Sequence, residues 1–327
     1  PIIEIKEGIT AIEDFAFSKI STPSTIPGVE SIFSYQKVYL PRSLQSIGKY
    51  AFSCVNSNMS TCLLPLYTGP NTEADKENFY ALRTIGEGAF MNCNKLTKAN
   101  IPNTVTEIEN YVFKGVPVTG YTLNSKVKSI GIGAFQDCGL THFTIPEGVT
   151  SIGALAFGNC TSLASVVCNA KSCSFGSECF KNCASLEEFT FPQTASLEIP
   201  GGFFENCASL TTCTMPTTLA NADALENTMN MFSNCQKLSQ VTLPTNIQSL
   251  GAGMFKNTSI ETLYLPTTVN TIGAESLKDC TKLKYVNISS TNPVNLSLNI
   301  FDNTPNLELL SIHGDLGFPT MDEDMFG

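Results

Sequence analysis

Apolar residues in this chain follow two short patterns that alternate and recur at a nearly constant interval. The first has the form Leu-x-x-apolar-x-apolar-Pro, as in residues 140–146 and 186–192. Its apolar residues alternate with polar ones, which predicts a short β-strand buried on one side only. Because proline cannot donate a hydrogen bond within a sheet, we expect each strand to end there.

The second pattern, Ile-Gly-x-x-Ala-Phe, follows each strand and is here called the anchor. Residues 85–90, 130–135 and 152–157 are clear copies, and looser copies bring the number of anchors to thirteen. From Phe90 to Phe326, successive anchors lie 23, 22, 22, 23, 24, 28, 23, 22, 24 and 25 residues apart. A unit this short cannot bury its own apolar face, so we expect the units to stack as a solenoid.

Cysteine follows the same register, since seven of the thirteen cysteines come three residues after the anchor motif. Cysteine packs as a small apolar residue, and we therefore expect these seven to form a buried ladder in the core. The alternatives are an isolated disulfide or a zinc site, although no Cys-x-x-Cys spacing supports the metal. The seven are Cys93, Cys138, Cys160, Cys183, Cys207, Cys235 and Cys280.

The combined frame Leu-x-x-Val-x-Leu-Pro-x-x-Val-x-x-Ile-Gly-x-x-Ala-Phe-x-x-Cys resembles the leucine-rich repeat of the BspA-like surface proteins, over nearly the whole chain. The resemblance implies an α/β fold: a right-handed solenoid, shaped as a horseshoe or curved rod, with one parallel β-sheet on its concave face. Turns or short helical pieces would lie outside. It also implies a secreted or surface-attached array from a host-associated microbe, with no catalytic residues to carry over.

We expect one domain of thirteen repeats over residues 1–327, with degenerate repeats over residues 1–40 and both ends cut. A polar, acidic insertion over residues 66–81 lengthens one unit, and the 28-residue unit carries its excess between Pro216 and Phe232. Insertions at one repeat position map to one edge of the stack, where they would wall a binding site. The alternative is that surface loops accept insertions cheaply.

Composition and motifs exclude several functional classes. The chain has 42% hydrophobic residues but no run of 18 that would span a bilayer. Its net charge is −10 and its 19 basic residues are spread thinly, which disfavours nucleic acid or an anionic membrane as partner. The two histidines lie far apart in sequence, and no nucleophile, metalloprotease or phosphate-loop motif is present. We therefore expect no enzyme, no cofactor and no metal site.

The remaining candidate site is the outward face of the predicted strands, which is rich in threonine and nearly uncharged. Threonine and tyrosine are good strand formers and would occur for that reason alone. A flat surface that bears tyrosines also suits contact with a protein or a glycan. The candidate ligand-binding residues are Tyr39, Lys98, Thr122, His142, Thr144, Thr190, Thr214, Thr242, Tyr264 and Tyr285.

The outward face favours a monomeric binding module, and the family resemblance implies a cell-surface or secreted one that adheres to an extracellular protein or another host or microbial macromolecule. One alternative is a glycan-binding surface protein of a nutrient-uptake system, in which Tyr39 or Tyr264 stacks on sugar rings. Another is a structural spacer that displays other domains. Loss of binding after one or two tyrosine substitutions would favour the glycan, because a broad protein interface loses affinity more gradually.

Overall fold

The computed structural model describes residues 2–18, 36–53, 59–63, 79–99, 101–194, 197–220 and 228–313. The chain divides into two compact units, Pro1–Cys160 and Thr161–Gly327, called unit 1 and unit 2. In each unit the chain winds through stacked coils, and most coils contribute two short parallel strands. Strands that come first in their coils form the first row, and the others form the second row.

Unit 1 contains the first eleven strands, β1 to β11, of which five belong to the first row and six to the second. The first row comprises β1 (Ile2–Glu4), β3 (Lys37–Tyr39), β5 (Thr61–Leu63), β7 (Lys98–Ala99) and β10 (His142–Ile145). The second row comprises β2 (Ala11–Ile12), β4 (Ser46–Ile47), β6 (Thr84–Ile85), β8 (Glu107–Ile108), β9 (Ser129–Ile130) and β11 (Ser151–Ile152). Strands β1, β3, β5 and β7 pair in that order, and β2–β4–β6 and β8–β9–β11 form the second row.

Unit 2 repeats this arrangement with longer strands near its end. The first row comprises β12 (Ser165–Cys168), β14 (Glu188–Thr190), β15 (Thr212–Thr214), β16 (Gln240–Thr242), β18 (Thr262–Leu265), β20 (Tyr285–Ser289) and β22 (Leu309–His313). The second row comprises β13 (Ser174–Phe175), β17 (Ser249–Leu250), β19 (Thr271–Ile272) and β21 (Asn295–Leu296). Within the unit, β12–β14–β15–β16, β18–β20–β22 and β17–β19–β21 are the sheets.

The first-row strands confirm the alternation that the sequence predicted. Val38, Phe143, Phe189 and Val286 are at most 2% exposed, whereas the strand residues on either side of them point towards solvent or are half-buried. Strand β10 ends directly before Pro146. The periodicity of two therefore reports a sheet with one face in the core.

The second row corrects the expectation of one sheet. Its strands are the two residues that end at the anchor isoleucine, and the glycine that follows permits close approach of the coils. A Cβ on Gly48 would lie 2.5 Å from the backbone nitrogen of Asp14, and one on Gly153 would lie 2.4 Å from that of Ile132. Real Cβ atoms do not come this close, so each glycine keeps neighbouring backbones within hydrogen-bonding distance.

The anchor phenylalanines form the centre of the core in both units. In unit 1 the rings of Phe113, Phe135 and Phe157 stack with centroids 5.6 Å apart and planes within 13° of parallel. In unit 2 the rings of Phe204 and Phe232 stack in the same way at 5.8 Å. Each ring covers the ring of the next coil, which is why a single coil cannot fold alone.

The outer side of the coils consists of turns, so the expected α/β class is wrong for the described residues. Only Phe79 is assigned to an α-helix among them. The residues two before and two after the anchor aromatic have left-handed backbones, as at Gly133 (φ 56°) and Asp137 (φ 59°). An α-helix needs consecutive right-handed residues, and left-handed residues four apart leave no room for one. These units are parallel-strand solenoids with almost no helix.

Hydrogen bonds also join the outer turns of neighbouring coils. In unit 1 the backbone nitrogens of Gly133, Phe135 and Asp137 donate to the carbonyls of Ala154, Ala156 and Gly158 at 2.8–2.9 Å. The residues between them donate within their own turn, for example Gln136 to Gly133 at 3.1 Å. The turns thus satisfy their backbone groups without helix or sheet.

Several expectations fall outside the described residues. These are most of the insertion over residues 66–81, the excess of the 28-residue unit, the last anchor at residues 321–326, and Cys54. The single domain over residues 1–327 stays a prediction. No helix among the described residues is long and apolar enough to cross a membrane.

Candidate functional site

The outward face of the first row carries the residues that the sequence singled out. Of the ten candidates, nine have described side chains, and all nine are exposed; Lys98 begins β7, and its side chain is not described. Thr122 is exposed but lies outside any strand. The exposed candidates in strands are Tyr39, His142, Thr144, Thr190, Thr214, Thr242, Tyr264 and Tyr285.

Strand register decides which of these residues are neighbours. In unit 2, Thr190 pairs with Thr214, and Thr214 pairs with Thr242, so the three form one row of hydroxyl groups. Tyr264 pairs with Asn287 on β20, which places it diagonally from Tyr285. Tyr39 belongs to unit 1 and pairs with Leu63.

Three of the four large exposed apolar side chains on the unit 2 face lie together on neighbouring strands; the fourth, Val167 on β12, is 54% exposed and lies apart from them. Tyr264 is 73% exposed, Tyr285 42% and Leu309 55%. Tyr285 lies directly opposite Leu309 in the β20–β22 pair. These three residues are called the tyrosine patch. Tyr264 and Leu309, its outermost members, lie about 12 Å apart, because they are two strands of ~4.8 Å spacing apart and are offset by two residues along the strands. Leu309 was not selected from the sequence, although it occupies the same repeat position as Tyr285.

One residue of the tyrosine patch, Tyr285, has a charged partner, and an ion pair involves the residue before it. The Tyr285 hydroxyl donates to Glu308 Oε2 at 2.7 Å, and Lys284 Nζ lies 3.1 Å from Glu261 Oε2. The hydrogen bond to the Glu308 carboxylate, together with its negative charge, raises the pKa of Tyr285. The Glu261 carboxylate likewise raises the pKa of Lys284. Both groups keep their protons, so the arrangement persists across neutral pH.

The unit 1 face is more polar and carries fewer exposed apolar groups. His142 Nδ1 lies 3.1 Å from the Thr141 hydroxyl, which donates to the carbonyl of Thr119. A Cβ on Gly120 would be 3.4 Å from His142 Nε2, which is an ordinary van der Waals contact, so an alanine would also fit beside the imidazole. The other histidine, His313, is in unit 2, with Nε2 2.9 Å from the Ser311 hydroxyl. Each histidine contacts a hydroxyl of its own strand region rather than a carboxylate.

The cysteines that follow the anchors form the buried ladder that the sequence predicted. Six of these seven thiols donate to the carbonyl of the anchor phenylalanine in the preceding coil, as from Cys160 to Phe135 at 3.0 Å and from Cys207 to Phe180 at 3.2 Å. Burial raises the pKa of each of these two thiols to about 12. They are structural groups, since reactivity requires the thiolate. Among the described residues, no group of three or more His, Cys, Asp or Glu side chains could hold a metal.

An open cleft lies in unit 1. It has a volume of about 520 Å³, and its charged lining residues are Arg83, Lys126, Glu107 and Glu109. The Arg83 guanidinium donates to the carbonyl of Tyr80 at 2.8 Å. Two cations and two carboxylates give the cleft no net charge, so its lining does not single out a ligand class.

Comparison with known proteins agrees with the repeat structure. The family model described as BspA type leucine rich repeat region matches residues 1–68, 83–211 and 197–326, in six copies. A leucine-rich repeat protein of Eubacterium ventriosum is 18% identical, over 96% of this chain and 80% of that one, with a TM-score of 0.50. That likeness supports the fold alone.

Two further solved structures are similar at lower TM-scores. A leucine rich cell surface protein of Faecalibacterium prausnitzii is 19% identical, over 89% of this chain and 88% of that one, with a TM-score of 0.44. The pneumococcal vaccine antigen PcpA is 16% identical, over 94% and 70%, with a TM-score of 0.39. No curated protein matches the chain. Since the family model spans most of its residues, this chain belongs to the BspA type leucine rich repeat family.

Proposed function

We propose that this chain is a non-enzymatic module that binds an extracellular protein through the outward face of the first-row strands, with the tyrosine patch of unit 2 as its centre. The observation that carries the proposal is the exposure of Tyr264, Tyr285 and Leu309 on three neighbouring strands. Exposed apolar side chains that adjoin one another mark interaction surfaces more reliably than isolated ones.

The composition of this face suits a protein partner. Tyrosine supplies large contact area with few rotatable bonds, and it is enriched among residues that dominate binding energy. The threonine row of β14, β15 and β16 adds a flat surface of hydroxyl groups on the same side of unit 2. Protein interfaces usually have an aromatic centre that is surrounded by polar residues.

The proposal also includes where the protein acts and which side of the solenoid binds. Secretion or attachment to a cell surface follows from the family resemblance, as does a right-handed solenoid with the sheet on its concave side. Solenoid proteins commonly bind partners on that side. The partner is a host or microbial macromolecule, and binding requires no cofactor.

A glycan ligand is the second candidate, favoured by one observation. The ring of Tyr264 is 73% exposed and free to stack on a sugar. Leu309 argues for protein, because an aliphatic side chain offers no flat surface to a sugar ring. The structural spacer remains the alternative that predicts no ligand at all.

The test is a solid-phase binding screen of the purified chain against extracellular matrix proteins and a glycan array. We expect a protein hit that Tyr264→Ser weakens by roughly tenfold, because truncating a central aromatic residue typically costs more than ~1 kcal/mol. A variant with Thr190→Glu and Thr214→Glu should weaken the same hit by adding charge to the face.

Leu298→Ser is the matched control, since Leu298 is 57% exposed but lies in the turn after β21. It should bind as the unaltered chain does. A glycan hit abolished by Tyr264→Ser would move the conclusion to glycan capture. No hit from a folded chain would leave the spacer as the better account.

A further inference from the structure

We infer that the unit 2 face selects a cationic partner, namely a protein segment in which lysine or arginine stands beside apolar residues. The inference rests on the proposed function, because it names the partner chemistry of the same face. It comes from the distribution of charge, which the two units share very unequally.

Unit 2 carries nearly all of the net negative charge of the chain. It holds 16 of the 29 acidic residues and seven of the 19 basic ones, which is −9 of the net −10. Unit 1, with 13 acidic and 12 basic residues, is almost neutral. A field of one sign attracts partners of the opposite sign and speeds their association.

Carboxylates stand on the face itself, at residues that enter a strand or point outward from it. Glu187 and Glu188 do so at β14, Glu261 enters β18, and Glu308 enters β22; all four are exposed. The basic residue at these positions is Lys284, which Glu261 already holds at 3.1 Å. Lys237 and Lys282 lie farther back, on the turns that precede the strands. The face therefore presents four carboxylates against one ammonium group.

The tyrosine patch gives a cation a second reason to bind. The face of an aromatic ring attracts a guanidinium or ammonium group, and the ring of Tyr264 is 73% exposed. The Tyr285 hydroxyl donates to Glu308 at 2.7 Å, so a carboxylate stands at the edge of the second ring. A basic side chain that crosses Tyr285 meets both, while apolar neighbours in the same segment contact Leu309. Arginine combines these contacts best because it stacks and forms paired hydrogen bonds.

The test uses the full chain and three synthetic peptides that share the same apolar residues. Their alternate positions carry arginine, glutamine or glutamate. In fluorescence anisotropy we expect the arginine peptide to bind about tenfold more tightly than the glutamine peptide, and the glutamate peptide to bind more weakly still. The advantage should shrink between about 50 and 500 mM NaCl, as salt screens exposed charges.

Substitutions that remove one negative charge but keep the side-chain shape test which carboxylates attract the arginine peptide. Glu188→Gln and Glu308→Gln should each weaken arginine-peptide binding by about threefold, and Tyr264→Ser by about tenfold. Glu198→Gln is the matched control, because Glu198 is an exposed acid of unit 2 outside the first-row strands. Its affinity should change by less than about twofold.

Each other outcome overturns the inference. Equal weakening by Glu198→Gln and Glu308→Gln would show that net charge acts without this face. Absence of arginine-peptide binding would also overturn it. If the glutamine or glutamate peptide binds best and Tyr264→Ser abolishes that binding, cationic selection is wrong while the proposed protein-binding function stands.

Discussion

At the scale of single residues, the polar turn after each anchor is set by backbone conformation. Two residues after the aromatic, the chain adopts the left-handed region, which asparagine, aspartate and glycine tolerate best. In unit 2 the asparagine side chains also bond to each other. Asn206 Nδ2 donates to Asn182 Oδ1, and Asn234 Nδ2 donates to Asn206 Oδ1, both at 2.7 Å. Asparagine thus both tolerates the left-handed backbone of the turn and links neighbouring coils through its side chain.

Asn206→Ala should lower the free energy of unfolding by about 2–4 kcal/mol. The change removes two side-chain hydrogen bonds, worth ~1 kcal/mol each, and replaces asparagine, which tolerates the left-handed region, by alanine, which does not, at a further cost of up to ~1–2 kcal/mol. Urea denaturation followed by circular dichroism measures the loss. Asn206→Gly is the control and should lose only the hydrogen-bond part, because glycine accepts a φ of 64°. Equal losses from both variants would contradict the backbone argument.

At the scale of elements, each coil depends on how closely its second-row strand approaches the next. The pairs Ser129–Ser151 and Ile130–Ile152 are parallel and in register, although each strand is only two residues long. Such short strands persist because the outer turns and the stacked anchor rings hold the coils together on both sides. The anchor glycine is the residue that permits this spacing.

Gly153→Ala should destabilise unit 1 by about 2–3 kcal/mol, the usual cost of forcing an extra carbon into a packed site. The new Cβ would lie 2.4 Å from Ile132 N and 2.7 Å from Gly131 C, both of which are backbone atoms that cannot rotate away. Thermal unfolding by calorimetry measures the effect. Gly120→Ala is the matched control, because its new Cβ would meet only the His142 ring at 3.4 Å. If the two variants melted together, the close-approach argument would be wrong.

At the scale of the whole molecule, thiols buried in both units should make the free energy of unfolding fall at alkaline pH. Burial raises the pKa of Cys62, Cys160 and Cys207 from an ordinary 9.0 to about 12. Between these values an unfolded thiol has lost its proton and a folded one has kept it. The folded state then binds more protons, so its stability falls as pH rises.

Stability should therefore be constant with respect to these thiols below pH 9 and decline from pH 9 towards pH 12. Each such thiol contributes a loss of about 1.4 kcal/mol per pH unit within that window. Urea midpoints measured at intervals from pH 7.5 to pH 10.5 should be level below the ordinary thiol pKa of 9.0 and should fall above it. Cys207→Ala should flatten the slope by about one proton. An unchanged slope in that variant would mean that Cys207 ionises normally in the folded protein.

The sequence by itself determined the solenoid, its inward strand residues and the cysteine ladder. These features repeat with the chain's period, and a unit of about 23 residues has no other way to bury its apolar positions. The outward candidates Tyr264 and Tyr285 could be chosen for the same reason, since alternation alone places them opposite the buried Leu263 and Val286. Their role in binding stays a prediction.

Only the tertiary structure decided the second row of strands, the near-absence of helix in the described residues and the exposure of the tyrosine patch. A two-residue strand has no periodicity to detect, and left-handed residues four apart exclude a helix only once their backbone angles are known. Leu309 joins Tyr285 because parallel register places residues from separate coils opposite each other. The repeat frame aligns the two positions, but only the structure shows how far each side chain is exposed.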